Sequence, residues 1–350
     1  MKFVYLLLSF TIIVSVFLIE DSAHAEAFGS SPQTCSDVDL RSEIGPIRDQ
    51  GDIGWCFANA SADLLTFHYR HILLGEQVSA GYLAIAYNNL WSAWRKPTES
   101  GGFVSATTYQ AIRDGLCPRE AETVLLSHGI EKGLSEKLNF LTELKTRYDG
   151  SGFRATYKWI HQQAEAAKAL DSPLLQMPVA DLEELLASST PKNFLKNFAD
   201  HFCQNRINGL PKDFVWTDPV AWFHDSPQIE FDETPHLEAI TPVMQNWALK
   251  DLHHQLDRSN IVAVDYFPQF FDRPIATPVD TNGSTHASII AGRRWNKEAK
   301  RCELLLRNSW GTGCHYKNPE LQAPGYCDGG NLWIPEKDFA KYLTGVVYFR

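Results

Sequence analysis

The chain has 350 residues, 44% of them hydrophobic and 21% charged, with 22 glycines and 18 prolines. That composition excludes a disordered, collagenous or coiled-coil chain, and the length allows two core-sized units or one domain with a large insertion. Lys and Arg number 32 against 42 Asp and Glu, a formal net charge of −10. An acidic chain with no basic stripe is not built to hold a phosphate backbone, which excludes nucleic acid as the main partner.

The first segment reads as a targeting signal. Met1 and Lys2 open a short positive region, Phe3 to Ile19 is almost wholly apolar, and Ala23-His24-Ala25 places small residues at a cleavage site. Residues 1–25 are therefore expected to be a secretory signal peptide, cut after Ala25. The apolar run is at the short end of spanning length, and no later run reaches it. The mature chain is expected in a secreted or periplasmic location, a monomer with no membrane association.

Beyond it, three regions separate by texture. In 26–119 a Gly/Asp-rich loop, Gln50 to Ala58, runs into a helix expected over 56–71, where Phe57, Ala60, Leu64, Leu65 and His68 follow helical spacing. Further helices are expected over 79–88 and 105–114. Region 120–240 carries amphipathic stretches at 162–170 and 179–187, broken by Pro173, Pro178, Pro191, Pro211, Pro219 and Pro227. It reads as a helical insertion. Region 241–350 opens with a helix over 242–256, then strand-like runs at 261–266, 286–291, 302–307 and 346–349, bounded by turn residues. Helices first and antiparallel-type strands later predict an α+β chain in two lobes.

The cysteines are Cys35, Cys56, Cys117, Cys203, Cys302, Cys314 and Cys327. An exported chain pairs its cysteines, and an odd number leaves at least one thiol free. No C-x-x-C spacing occurs and the histidines are scattered, so no metal site and no cofactor are expected. Cys56 stands at a helix N-terminus, where unpaired N–H groups and the helix dipole favour a thiolate. Gln50, upstream of it, is placed to fold back and form an oxyanion hole with the Cys56 backbone N–H. The same local sequence also fits a buried structural Cys or half of a disulfide. His286 opens a strand after a turn and would serve as the base; Asn308 ends a strand and would orient it, with Trp310 shielding that bond from water. A strand-edge His and an Asn-Ser-Trp-Gly corner each have purely structural readings. The order Gln, Cys, His, Asn along one chain favours a joint one.

Taken together these segments resemble papain-like cysteine peptidases, in particular their bacterial secreted branch. Gln50-Gly51…Gly54…Cys56…Ala58 resembles the nucleophile loop, Thr285-His286-Ala287 the histidine strand, and Asn308-Ser309-Trp310-Gly311-Thr312-Gly313 the asparagine segment. Ser100-Gly101-Gly102-Phe103 resembles the glycine pair whose backbone binds an extended substrate. Asn331-Leu332-Trp333-Ile334-Pro335 fits the strand after the asparagine corner. The resemblance covers 40–120 and 241–350. It implies a papain-like two-lobe fold: a helical lobe (26–119) carrying Cys56, an antiparallel β-lobe (241–350) carrying His286 and Asn308, and a large helical insertion (120–240). It implies a peptide or protein substrate gripped by Gly101, Gly102, Trp55 and Trp310.

This chain departs from the family in several places. Trp55 stands where a small residue is usual, and either narrows the cleft or packs away from it. Phe57 replaces a Trp, and Ile53 replaces a disulfide Cys. Cys56 and His286 lie farther apart than the family span of about 130–150 residues, by roughly 80–100. Few residues precede Gln50 after the signal, too few for the usual inhibitory propeptide. With Cys56 free, the expected pairs are Cys314–Cys327, closing a short loop beside Trp310, Cys117–Cys203, stapling the insertion to the helical lobe, and Cys35–Cys302 by remainder. The expected function is peptide-bond hydrolysis through a Cys56 thioester. The alternatives are a catalytically silent peptide- or partner-binding protein of the same fold, and an acyl transferase using the same thiol.

Overall fold

The computed structural model describes residues 31–90, 100–119, 134–166, 173–211, 214–217, 242–281 and 283–350; the expected signal peptide lies outside them. Among the described residues no helix is long and apolar enough to cross a membrane.

The β-branched and alternating runs form one antiparallel sheet. Its strands are β1 (Val38–Asp39), β2 (Phe214–Thr217), β3 (Val262–Tyr266), β4 (His286–Asn296), β5 (Arg301–Arg307), β6 (Cys327–Asp328), β7 (Asn331–Pro335) and β8 (Leu343–Phe349). The spatial order is β2-β8-β3-β4-β5-β7-β6, with β1 added to β4. The β4–β5 hairpin turns on Asn296, whose side-chain oxygen accepts from the Glu298 and Ala299 N–H groups at 3.1 and 2.9 Å; this is the local bonding that makes Asn a turn former. A bulge between Ile290 and Gly292 interrupts the pairing with β5. Gly292 is required there, because a Cβ would stand 2.2 Å from the Val38 carbonyl oxygen of β1.

The helical layer is α1 (Cys56–His68), α2 (Ala80–Leu90) and α3 (Val104–Asp114). Every residue of α1 from Cys56 to Phe67 is buried, because the sheet covers one side and α2 and α3 the other. Ala58, Ala60, Ser61 and Ala62 keep it slim enough for that enclosure. Its amide and hydroxyl side chains bond back to the helix: Asn59 to the Trp55 carbonyl at 2.9 Å, Ser61 to Phe57 at 2.8 Å and Thr66 to Ala62 at 2.6 Å. The helix expected over 56–71 is broken after His68 and resumes as a short turn, Arg70–Leu73.

The insertion contributes α4 (Leu134–Ala166), broken at Gly152 with φ +76°, then α5 (Val179–Ser188) and α6 (Phe194–Phe202). The stretch expected over 162–170 is the tail of α4 as far as Ala166; the rest lies outside the described residues. In α6, Phe194, Leu195, Phe198 and Ala199 are buried, one helical stripe. This helix docks on α2, where the Tyr82 hydroxyl donates to Asp200 at 3.0 Å. A further long helix, α7 (Pro242–Asp257), packs on β8, β3 and β4.

Two stretches expected to be helical also feed the sheet. β1 falls within 26–119, and β2 (Phe-Val-Trp-Thr), an aromatic and β-branched run within 120–240, pairs with the edge of β8. The disulfides are Cys35–Cys302, Cys117–Cys203 and Cys314–Cys327, the pairs the sequence predicts, and Cys56 is the free thiol.

Candidate active site

Cys56 is the first residue of α1, and Trp55 before it makes no side-chain cap. The sulfur therefore meets the unpaired N–H groups of the helix start, those of Cys56 and Phe57, together with the N–H of Ala287 in β4. Each of these donors lowers the thiol pKa, but burial outweighs them and raises it above the ordinary 9.0. The expected thiolate is thus corrected: the helix start contributes as foreseen, and desolvation of a sulfur in a residue only 9% exposed wins.

His286 opens β4, immediately before Ala287, and is itself buried. Its Nε2 lies 2.8 Å from Asn308 Oδ1. That oxygen also accepts the Ser309 N–H at 2.8 Å, which fixes which way the amide faces. An amide oxygen only accepts, so Nε2 carries the proton and Nδ1 keeps its lone pair. Burial lowers the His286 pKa from 6.5 to about 4, although the Asn308 bond works to raise it. Burial thus works against charge on the thiol and on the imidazole alike. Trp310, 41% exposed, covers the ring with a centroid separation of 5.0 Å, and Tyr266 and Phe271 meet it edge-on.

Gln50 is held by the same corner. Its N–H donates to the Ser309 carbonyl at 2.8 Å, and the Ser309 hydroxyl donates to Gln50 Oε1 at 2.6 Å. With its oxygen occupied, Gln50 turns its NH2 to the nucleophile loop, where Nε2 donates to Ile53 O at 2.9 Å. An amide nitrogen carries two hydrogens, which leaves one for an incoming oxyanion. Ser309 was not singled out from sequence, although it lies in the quoted asparagine segment.

The glycine pair meets the loop directly. The Gly101 N–H donates to Gly54 O at 2.8 Å, and the Gly54 N–H to Ser100 Oγ at 3.1 Å. A Cβ on Gly101 would meet nothing within 4 Å, so this backbone borders open space; one on Gly102 would strike the Phe57 and Tyr87 rings at 2.8 Å. Trp55, expected as a substrate contact, is only 1% exposed. Its indole packs into the core, which removes it both from the substrate surface and as a plug.

Two features that sequence reading missed hold this geometry. Asp63 of α1 bonds the Arg48 guanidinium and, at 2.8 Å, that of Arg307. One carboxylate in α1 thereby anchors the approach to Gln50 and the residue before Asn308. Asp52 in the nucleophile loop accepts the Ser135 backbone N–H at 3.1 Å and so caps the start of α4. Among the described residues, His253, Cys302 and Glu336 have metal-ligand spacing, but their donors are committed. Cys302 is in a disulfide, and His253 bonds Glu336 at 2.9 Å and Arg293 at 2.8 Å.

No protein-family model matches the chain, and no curated protein matches it in sequence. Solved structures similar to it include one bearing on antibody cross reactivity between the mite allergens Blo t 1 and Der p 1. That match has 13% identity and a TM-score of 0.44 over 92% of this chain and 72% of the other. Another is the Amb a 11 cysteine protease, a major ragweed pollen allergen, in its proform, at 11% identity and a TM-score of 0.44. That match covers 89% of this chain, which spans 64% of the Amb a 11 chain. Likenesses this distant carry no argument about chemistry, which is read from the site itself.

Proposed function

We propose that this chain is an exported cysteine peptidase of the papain-like kind, in its bacterial secreted branch. The observation that carries the reading is the bond from His286 Nε2 to Asn308 Oδ1, beside an unbridged Cys56 in a chain whose other cysteines are paired. Cys56 Sγ attacks the peptide carbonyl carbon while its proton passes to His286 Nδ1. The pair starts neutral, so the proton moves during attack rather than before it. Gln50 Nε2 and the Cys56 N–H receive the oxyanion. Collapse expels the amine, protonated by His286, and leaves a thioester. Water, deprotonated by His286, attacks the thioester carbon, the C–S bond breaks to release the acid, and His286 returns the proton to Cys56 Sγ. An extended substrate would lie in the open space beside Gly101.

The test is hydrolysis of an unstructured protein by the wild type and by Cys56→Ala under mild reduction. Loss of cleavage in the variant is expected; equal cleavage by both would overturn the assignment. A silent binding protein is favoured by one observation, the burial that raises the Cys56 pKa. An epoxide warhead separates the two, since the peptidase labels at Cys56 and the silent protein does not.

A further inference from the structure

Behind His286 lie two polar side chains that this mechanism does not use. Tyr266 in β3 is the cross-strand partner of His286, and Ser288 follows two residues on in β4, so all three share one face of the sheet. Both are buried in aromatic surroundings, with Phe270, Phe271 and Phe339 against the Tyr266 ring. Hydroxyls at that depth are costly unless bonded. Tyr266 Oη lies 2.8 Å from Ser288 Oγ, which lies 3.4 Å from Asn308 Oδ1.

The donor order follows from what each atom can do. Asn308 Oδ1 accepts only, so the Ser288 hydroxyl donates to it, and the Ser288 lone pair is left for the Tyr266 hydroxyl. Donors from His286, Ser309 and Ser288 therefore converge on one amide oxygen. On the other side of the amide, the buried Asn308 side chain also bonds the Tyr316 hydroxyl. An amide flip would turn an NH2 group toward the His286 N–H.

We propose that Tyr266 and Ser288 are positioning residues. Tyr266 directs the Ser288 proton at Asn308, which holds the amide oxygen toward His286 and keeps Nδ1 free as the base. The inference rests on the assignment of Cys56, His286 and Asn308 as the reacting set, so its test includes readouts independent of peptide hydrolysis. Tyr266→Phe, Ser288→Ala and the double variant are made in the full chain with disulfides intact; each change removes only oxygen, and near-ultraviolet circular dichroism checks packing. Three quantities are read: kcat and KM on an unstructured protein, the pH profile of Cys56 alkylation by iodoacetamide, and the His286 ring nitrogen resonances, assigned by their loss in His286→Gln. Each single variant is expected to lower kcat roughly 2–10-fold, the worth of one hydrogen bond, with KM unchanged. The His286 resonances should show the Nδ1–H tautomer mixing in, and the alkylation profile should shift. In the Ser288→Ala background, Tyr266→Phe should add nothing. Additive losses with the tautomer and alkylation profile unmoved would overturn the inference. Altered tautomer and alkylation in a protein that hydrolyses nothing would sink the peptidase reading and leave this one standing.

Discussion

Burial works against a charge on the His286 ring, and that has a thermodynamic signature. Its pKa is about 4 in the folded chain against an ordinary 6.5. Between those values the unfolded chain binds a proton there that the folded chain refuses, so stability falls as pH falls through this window. The whole effect is roughly 3 kcal/mol at its acid end. Urea unfolding across the window is expected to show it, and His286→Gln is expected to flatten the same interval. Cys56 gives a second expectation. Its thiol pKa is raised by burial, so alkylation by iodoacetamide should climb into the alkaline range. A flat region between about pH 5 and 8, the mark of a preformed thiolate, would contradict the neutral pair. Ser309→Ala removes the hydroxyl that orients Gln50. It is expected to lower kcat about 10-fold with little change in KM, as steady-state kinetics would show.

At the level of elements, α1 is the organising piece, and Asp63 within it is the residue on which the site's scaffolding converges. Removing one partner from a buried ionic cluster leaves its mates charged and unpaired, which costs about 3–5 kcal/mol. Asp63→Ala strands both Arg48 and Arg307. It is expected to lower the urea midpoint by the corresponding amount and to reduce hydrolysis, because Arg307 adjoins Asn308. The start of α1, the α5 stretch and β3, β4, β5 and β8 were legible from sequence, since helical spacing and β-branched alternation report burial directly; β7 followed from the resemblance. So were the three disulfides once Cys56 was set aside. β1, β2 and β6 were not, because strands of two to four residues carry too little periodicity and exist here by pairing with their partners. Asp63, Arg48 and Arg307 carry no signal in the sequence, which does not show that three ions from separate segments share one buried point. The level of the Cys56 pKa escaped for the same reason: the helix start is local and visible, the enclosure is not.

For the molecule as a whole, the insertion is built in rather than appended. Phe194, Leu195, Phe198 and Ala199 pack it onto the helical layer, and Cys117–Cys203 closes the junction. Replacing both of these cysteines by Ser lifts the constraint on a loop of 86 residues, worth about 4.6 kcal/mol in the chain-entropy model. A lower melting temperature is expected, with first cuts in limited proteolysis falling within 134–211. Unchanged melting and first cuts elsewhere would show that α6 is held by packing alone.

The cap that Asp52 gives to α4 ties this added body to the segment that bears the thiol. That bond lies at the first turn, ahead of the break at Gly152, so only the near half of the long helix shares an anchor with the loop. Where the loop goes, the first turn of the inserted chain goes with it.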